Sequence, residues 1–272
     1  MRPSTAILGA GAMGSIIARG LLRAGWEPPS ISVADKMPEA VENLATATGV
    51  QCAASAPEAV AGRSVVVIAV KPNNVTELLD EIRPALAADQ LVISIAAGVP
   101  IAVFEQALPG IPIVRAMPNT PAAVEEGMTA YATGTAAGDE QAAIAQEVLG
   151  SIGKALRVTE EQLDAVTAVS GSGPAYVFLL AEAMTDAGMR LGLDAATATT
   201  LVNQTLRGAG MMLGISDKDA AGLRVQVTSP GGTTAAALGV FEDGGLRNLV
   251  DDALQAAAAR SIQLGEAAAS DS

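Results

Sequence analysis

The sequence predicts an α/β fold in which a doubly wound parallel sheet is followed by an all-helical domain, and three observations lead there. Up to Val158, short β-branched runs alternate with helical segments, as strands joined by crossover helices do. Several runs are apolar on both faces, the mark of strands covered on both sides. After Glu160 the alternation stops and long stretches rich in Ala, Leu, Met and Val take over. A chain of 272 residues also exceeds the usual single core of roughly 100 to 200 residues, so two domains are expected.

Taken in order, the predicted strands are Thr5 to Leu8, Ile31 to Ala34, Val50 to Ala53, Val65 to Val70, Leu91 to Ala96 and Ile111 to Arg115. Two later runs, Met128 to Thr133 and Ala155 to Val158, extend the sheet. The predicted helices of the second half are Pro174 to Leu191, Ala195 to Leu213 and Leu246 to Gly265. Stretches such as Ala175 to Ala183 are apolar nearly all round and should be buried on more than one side. A single layer of helices does not provide that, so this half is read as a dimer interface. Ser270 to Ser272 are expected to be disordered.

Composition narrows the chemistry. Sixteen basic residues against twenty-nine acidic ones leave a net charge of -13, which disfavours nucleic acid and anionic membrane surfaces. Any anionic ligand then needs a local cradle. The only cysteine is Cys52, so no intrachain disulfide forms and a reducing compartment fits. Ala6 to Ile17 has the apolar character of a secretory segment, but its three glycines and the following helix argue against one. No uninterrupted apolar run reaches the roughly 18 residues of a spanning helix. A cytoplasmic protein is expected. The chain has no histidine, which removes the commonest general base, the triads built on it and nearly all zinc sites. No metal site is expected, and chemistry carried by an organic cofactor remains.

The first motif is Gly9-Ala10-Gly11-Ala12-Met13-Gly14, which follows the first strand and opens a helix. Gly9 permits a tight turn, Gly11 lets backbone approach a pyrophosphate, and Gly14 lets the helix lie close to the strand. The helix N-terminus then faces phosphate. This makes the first domain, 1–158, a Rossmann-type dinucleotide-binding domain, with 159–272 as a helical dimerisation and substrate domain. At the end of the second strand stand Asp35 and Lys36, which point to different cofactors. An acid there accepts from the ribose hydroxyls of NADH, whereas a cation favours the 2′-phosphate of NADPH. The preference stays open.

Other strand ends carry ligand candidates at the carboxyl edge of the sheet. Ala69-Val70-Lys71-Pro72 ends the fourth strand, and Lys71 would approach cofactor phosphate or ribose. Ala96-Ala97-Gly98 ends the fifth, where small residues would let a nicotinamide lie against backbone. Met117-Pro118-Asn119-Thr120-Pro121 ends the sixth, and Asn119 is counted with the cofactor residues. Val227 to Ala235 is the most informative segment, because it puts N-cap chemistry on a helix in an apolar domain. Ser229 is a natural N-cap and Pro230 suits the first helical position. Gly231 and Gly232 expose backbone N–H groups, so Ser229, Thr233 and those donors would hold a carboxylate. Ser170-Gly-Ser172-Gly-Pro174 repeats this logic more weakly, as a packing turn or a ligand site.

The ordered blocks GAGAMG, AVKP, AAG, MPNTP, DAVTAVSGSGPAY and VTSPGGTT resemble the pyrroline-5-carboxylate reductase family over nearly the whole chain. The resemblance implies reduction of 1-pyrroline-5-carboxylate to L-proline by NADPH or NADH, in homodimers or rings of dimers whose helical domains interlock. It places Gly9 to Gly14, Ala69 to Pro72 and Ala96 to Gly98 along the cofactor. It puts Ser229, Gly232, Thr233 and Thr234 on the substrate carboxylate and ring nitrogen, with Thr234 orienting that nitrogen for proton delivery. Glu160 and Asp217 fall at acidic positions associated with the substrate, and Ser172 joins them. Val225 departs from the acid usual there, and Asp35-Lys36 from the usual neutral-plus-basic pair. Rivals on the same plan are imine reductases and β-hydroxyacid dehydrogenases. The hydroxyacid enzymes need a lysine on a helix where Thr185 to Gln204 has none. A non-catalytic nucleotide sensor would leave the cradle at Ser229 unexplained.

Overall fold

The computed structural model describes residues 2–270. Asp271 and Ser272, part of the end expected to be disordered, lie outside the described residues, while Ser270 closes the last helix. One sheet contains β1 (Thr5–Leu8), β2 (Ile31–Ala34), β3 (Gln51–Cys52), β4 (Val65–Ile68), β5 (Leu91–Ser94), β6 (Ile113–Met117), β7 (Gly127–Thr133) and β8 (Gly153–Arg157). Its order is β3-β2-β1-β4-β5-β6-β7-β8. The chain steps outward from β1 to β3, then returns to β4 on the other side of β1. That reversal makes the carboxyl ends of β1 and β4 the place where such sheets bind ligands.

Helices α1 (Ala12–Arg23), α2 (Pro38–Thr48), α3 (Ala56–Val60), α4 (Val75–Ile82), α5 (Ile101–Ala107) and α6 (Asp139–Gly150) cover the sheet. Alternation along the strands divides the core in two. Ile7, Val33, Val65 and Val67 join Ile17 and Leu21 of α1 and Val148 of α6 on one face. Ala6, Leu8, Val66 and Ile68 join Leu78, Leu79 and Phe104 of α4 and α5 on the other. All four residues of β4 are fully buried, which is why its run is apolar throughout.

The expected parallel sheet holds from β3 to β6, but β7 runs antiparallel to β6. Only Pro118 to Glu126 joins those two strands, too short a connection for a crossover that would keep them parallel. β8 then follows α6 and pairs parallel with β7.

Beyond β8, α7 (Leu163–Val166) passes through a π-helical turn, Thr167–Gly171, into α8 (Gly173–Arg190). Then come α9 (Ala195–Ile215), α10 (Ala220–Gln226), α11 (Thr233–Asp243) and α12 (Leu246–Ser270). Asp194 caps α9 through the Thr197 N–H at 3.0 Å, and Asp219 caps α10 through the Gly222 N–H at 2.8 Å. Two compact units result: residues up to Ser172 together with those from Ala257 onward, and Gly173–Ala256. This division differs from the border expected at 158/159 because Leu163 and Ala168 are buried in the first unit, where the Ser261 hydroxyl of α12 donates to Asp164 at 2.6 Å.

In the second unit, α8 and α9 pack on each other. The side chains expected to be buried on several sides are instead exposed within one chain, with Phe178 and Leu179 each 66% exposed and Ile215 82%. Apolar surface of this extent marks an interaction site. The helical stretch Glu160–Arg190 is also long and apolar enough, by length and composition, to cross a membrane. The longest uninterrupted apolar stretch within it, 173–181, is only half the roughly 18 residues of a spanning run and ends at the charge of Glu182.

Candidate functional site

The glycine turn is built by close backbone approach. Gly9 has φ of 112°, and a Cβ there would lie 2.6 Å from the Ala69 carbonyl of the neighbouring strand end. A Cβ on Gly14 would lie 1.9 Å from the Gly9 carbonyl, so only glycine lets α1 start this near β1. Gly11 has open space around its missing Cβ and caps α1 without a side-chain bond. The first N–H groups of α1 therefore remain available to an anion. Those features fit a dinucleotide pyrophosphate.

Asp35 stands beside this turn with both carboxylate oxygens engaged. Oδ2 accepts the Ala10 N–H at 2.6 Å and Oδ1 accepts the Met37 N–H at 2.9 Å. Lys36 is exposed and pairs with Glu77 in the first turn of α4. Lys71 and Pro72 are exposed beyond β4, with Ala69 and Val70 half-buried. After β5, Ala96 is buried and Ala97 exposed, while Gly98, with φ of 80°, packs against Leu264 and Gly265 of α12. The small size of Gly98 thus serves a helix contact. Asn119 has a structural task as well: its side-chain carbonyl accepts the Met128 N–H at 2.8 Å, and its amide donates to the Ser170 carbonyl at 3.1 Å.

In the second unit, α11 begins at Thr233 with Gly232 as its N-cap, three positions later than a cap at Ser229 implies. Ser229-Pro230-Gly231-Gly232 forms a turn instead, closed by the Gly232 N–H to the Ser229 carbonyl at 3.1 Å. Pro230 in its second place and Gly231 at φ of 69° in its third suit a type II turn. No side chain caps α11, and a Cβ on Gly232 would meet the Ser229 hydroxyl at 2.4 Å. Open N–H donors, Ser229, Thr233 and Thr234 therefore share one short segment. Asp217 is exposed between α9 and α10, and Ser172 is half-buried at the end of the π-turn. Glu242 of α11 meets Arg247 of α12 at 2.8 Å and Arg224 of α10 at 3.7 Å, tying together the helices on both sides of the segment. The Arg247 guanidinium hydrogen-bonded to Glu242 holds its carboxyl below the usual range.

Glu160 belongs to the first unit. Its Oε1 accepts from Arg115 at 3.0 Å and from the Ile101 N–H at 2.8 Å, so this carboxylate anchors the start of α5 to β6. A cleft of about 470 Å³ beside it is lined by Glu105, Thr135, Arg157 and Glu160 and contains no residue of the glycine turn. Sequence reading missed Arg115 and Glu77. A lone cation inside the apolar run Ile113–Met117 was the available signal for the first; nothing in the sequence marks the second.

A glycine turn at the switch point of a largely parallel sheet, followed by helices with an exposed apolar surface, defines a nicotinamide-dependent oxidoreductase with an assembly domain. Residues 4–98 match the family model described as NADP oxidoreductase, coenzyme F420-dependent. Residues 160–264 match the model for pyrroline-5-carboxylate reductase dimerisation. The pyrroline-5-carboxylate reductase of Mycobacterium tuberculosis is 44% identical, with 95% of this chain and 96% of that protein covered. The structure of a pyrroline-5-carboxylate reductase from Coxiella burnetii has a TM-score of 0.93 at 35% identity, covering 97% of this chain and 99% of that one. The pyrroline carboxylate reductase of Plasmodium falciparum, solved with NADP bound, has a TM-score of 0.85 at 30% identity, covering 97% and 98%. The chain belongs to the pyrroline-5-carboxylate reductase family.

Proposed function

We propose that this protein reduces 1-pyrroline-5-carboxylate to L-proline. A reduced nicotinamide cofactor, NADH or NADPH, supplies hydride to the C5 of the ring imine when bound. Gly9 to Gly14 hold its pyrophosphate, Asp35 and Lys36 flank its ribose, and Ala69 to Pro72 with Ala96 to Gly98 border the remainder. The hydroxyls of Ser229 and Thr233 and the N–H groups that open α11 hold the substrate carboxylate, while Gly232, whose own N–H closes the turn, lets the carboxylate come close to that backbone. The Thr234 hydroxyl orients the ring nitrogen while water relays its proton, since a threonine is too weak an acid to protonate it alone. Asp217 favours the cationic imine, whose carbon is the more electrophilic. Glu160 is tied to Arg115 and contributes through the fold.

The observation that carries this reading is the uncapped N-terminus of α11, where a Cβ on Gly232 would crowd the Ser229 hydroxyl at 2.4 Å. A protein that only senses a nucleotide has no use for this second anion cradle. The exposed apolar side chains of the matched dimerisation domain support a homodimer, which can build further into a ring of dimers. A lone Cys52 and a need for reduced nicotinamide suit the cytoplasm. The test is an assay with pyrroline-5-carboxylate that follows cofactor oxidation by absorbance and proline by chromatography. Failure to form proline with either cofactor overturns the proposal.

A further inference from the structure

We infer that Asp35 makes this chain prefer NADH to NADPH, with Lys36 drawn away from a 2′-phosphate by Glu77. The inference rests on the reductase reading above. Asp35 sits at the carboxyl end of β2, where the ribose of a dinucleotide is read in folds of this kind. Bonds to the Ala10 N–H at 2.6 Å and the Met37 N–H at 2.9 Å fix both of its oxygens. Swinging away from a phosphate would break both bonds. A carboxylate only accepts, and each oxygen keeps a further lone pair for the hydroxyl of an unphosphorylated ribose. A 2′-phosphate has nothing to donate and brings like charge.

A cation could offset that repulsion, and Lys36 is the one basic residue between Asp35 and Glu39. It is paired with Glu77, which lies in the first turn of α4, where the helix dipole favours an acid. Asp35, Lys36 and Glu77 together carry one net negative charge. An exposed ion pair is weak, so Glu77 tunes the preference and the fixed carboxylate determines it.

Titration calorimetry on the whole enzyme tests this without turnover, using NADH, NADPH and the nicotinamide-free pair ADP-ribose and 2′-phospho-ADP-ribose. NADH and ADP-ribose should each bind at least about tenfold more tightly than their phosphorylated counterparts. Asp35→Ala should shrink that gap to within about threefold, and Glu77→Gln should raise NADPH affinity by about two- to threefold while NADH is unchanged. Should Asp35→Ala fail to fold, the wild-type isotherms and Glu77→Gln still decide. Equal or tighter NADPH binding by the wild type overturns the preference and leaves the reductase reading intact. Binding of neither dinucleotide overturns both.

Discussion

Arg115 on β6 reaches Glu160 beyond β8 at 3.0 Å, and the same carboxylate oxygen receives the Ile101 N–H at 2.8 Å. One ion pair thus links the sheet, the start of α5 and the segment that leads into the helical region. Arg115→Met leaves Glu160 with a single partner while its side chain is only 32% exposed. The expected cost is about 1–3 kcal/mol, towards the lower end because of that exposure. Glu160→Gln should cost less, because its amide oxygen can still accept from Ile101. Both appear as a lower thermal midpoint with substrate KM unchanged. A raised KM with an unchanged midpoint would instead return Glu160 to the substrate site.

The glycine turn separates two effects. Gly14→Ala places a methyl 1.9 Å from the Gly9 carbonyl, so α1 must move away from β1. It should lose stability by about 1–3 kcal/mol and lose cofactor affinity as well. Gly11→Ala meets nothing within 4 Å, so its thermal midpoint should stay put while cofactor affinity falls about tenfold or more. Equal cofactor affinity in Gly11→Ala and wild type would show that no pyrophosphate approaches that backbone.

Most strands were legible because β1, β2 and β4 are buried on both faces, which makes their runs almost wholly apolar, with Thr5 and Ser32 admitted only as buried hydroxyls that donate to backbone carbonyls. The direction of β7 was not, since periodicity records which faces are buried and says nothing of which way a strand runs. In the candidate site, Gly9 and Gly14 announce themselves because a Cβ is sterically forbidden at both. The helix start at Thr233 was misread because Ser229-Pro230 suits both an N-cap with its first turn and a type II turn, and φ at Gly231 decides between them. The partners of Asp35, Lys36 and Glu160 lie 25, 41 and 59 residues away at Ala10, Glu77 and Ile101, distances at which local pattern carries no information.

Assembly can be tested on the exposed apolar helix. Leu179 is 66% exposed within one chain, on a helix inside the matched dimerisation domain. Light scattering at micromolar concentration should show at least a dimer, and Leu179→Glu should reduce its mass or leave the protein aggregated. A stable, active wild-type monomer would end the dimer reading.

Glu242 gives a pH-dependent contribution whose sign follows from its environment. Its hydrogen bond from Arg247 lowers the carboxyl pKa, so the folded state binds that proton less readily than the unfolded one. The resulting stability is present above the unfolded value and fades as pH falls through the folded one. Arg247→Ala should therefore lower the thermal midpoint at neutral pH, and the difference from wild type should shrink under strongly acidic conditions. Added salt should narrow it too, because the pair is exposed. A difference constant across that acid range would assign the effect to packing by the arginine stem.

The segment ahead of α11 allows holding the substrate to be separated from the hydride step. Ser229→Ala removes a hydroxyl beside the uncapped helix end and leaves Gly232 and the turn in place. A charge-assisted hydrogen bond to a carboxylate is worth roughly 1.5–3 kcal/mol, so KM for the imine should rise with kcat little changed. Thr234→Val keeps the β-branched shape within the first turn of α11 and deletes only the hydroxyl assigned to the ring nitrogen. Because the hydroxyl can donate to the lone pair that the ring nitrogen gains as hydride adds to C5, kcat should fall by about ten- to a thousandfold, more than KM rises. Cofactor affinity should be unchanged in both variants, since the dinucleotide residues belong to the other compact unit. A Thr234→Val enzyme that folds normally and keeps full kcat across neutral pH would remove this hydroxyl from the reaction, leaving the nitrogen to water and to Asp217.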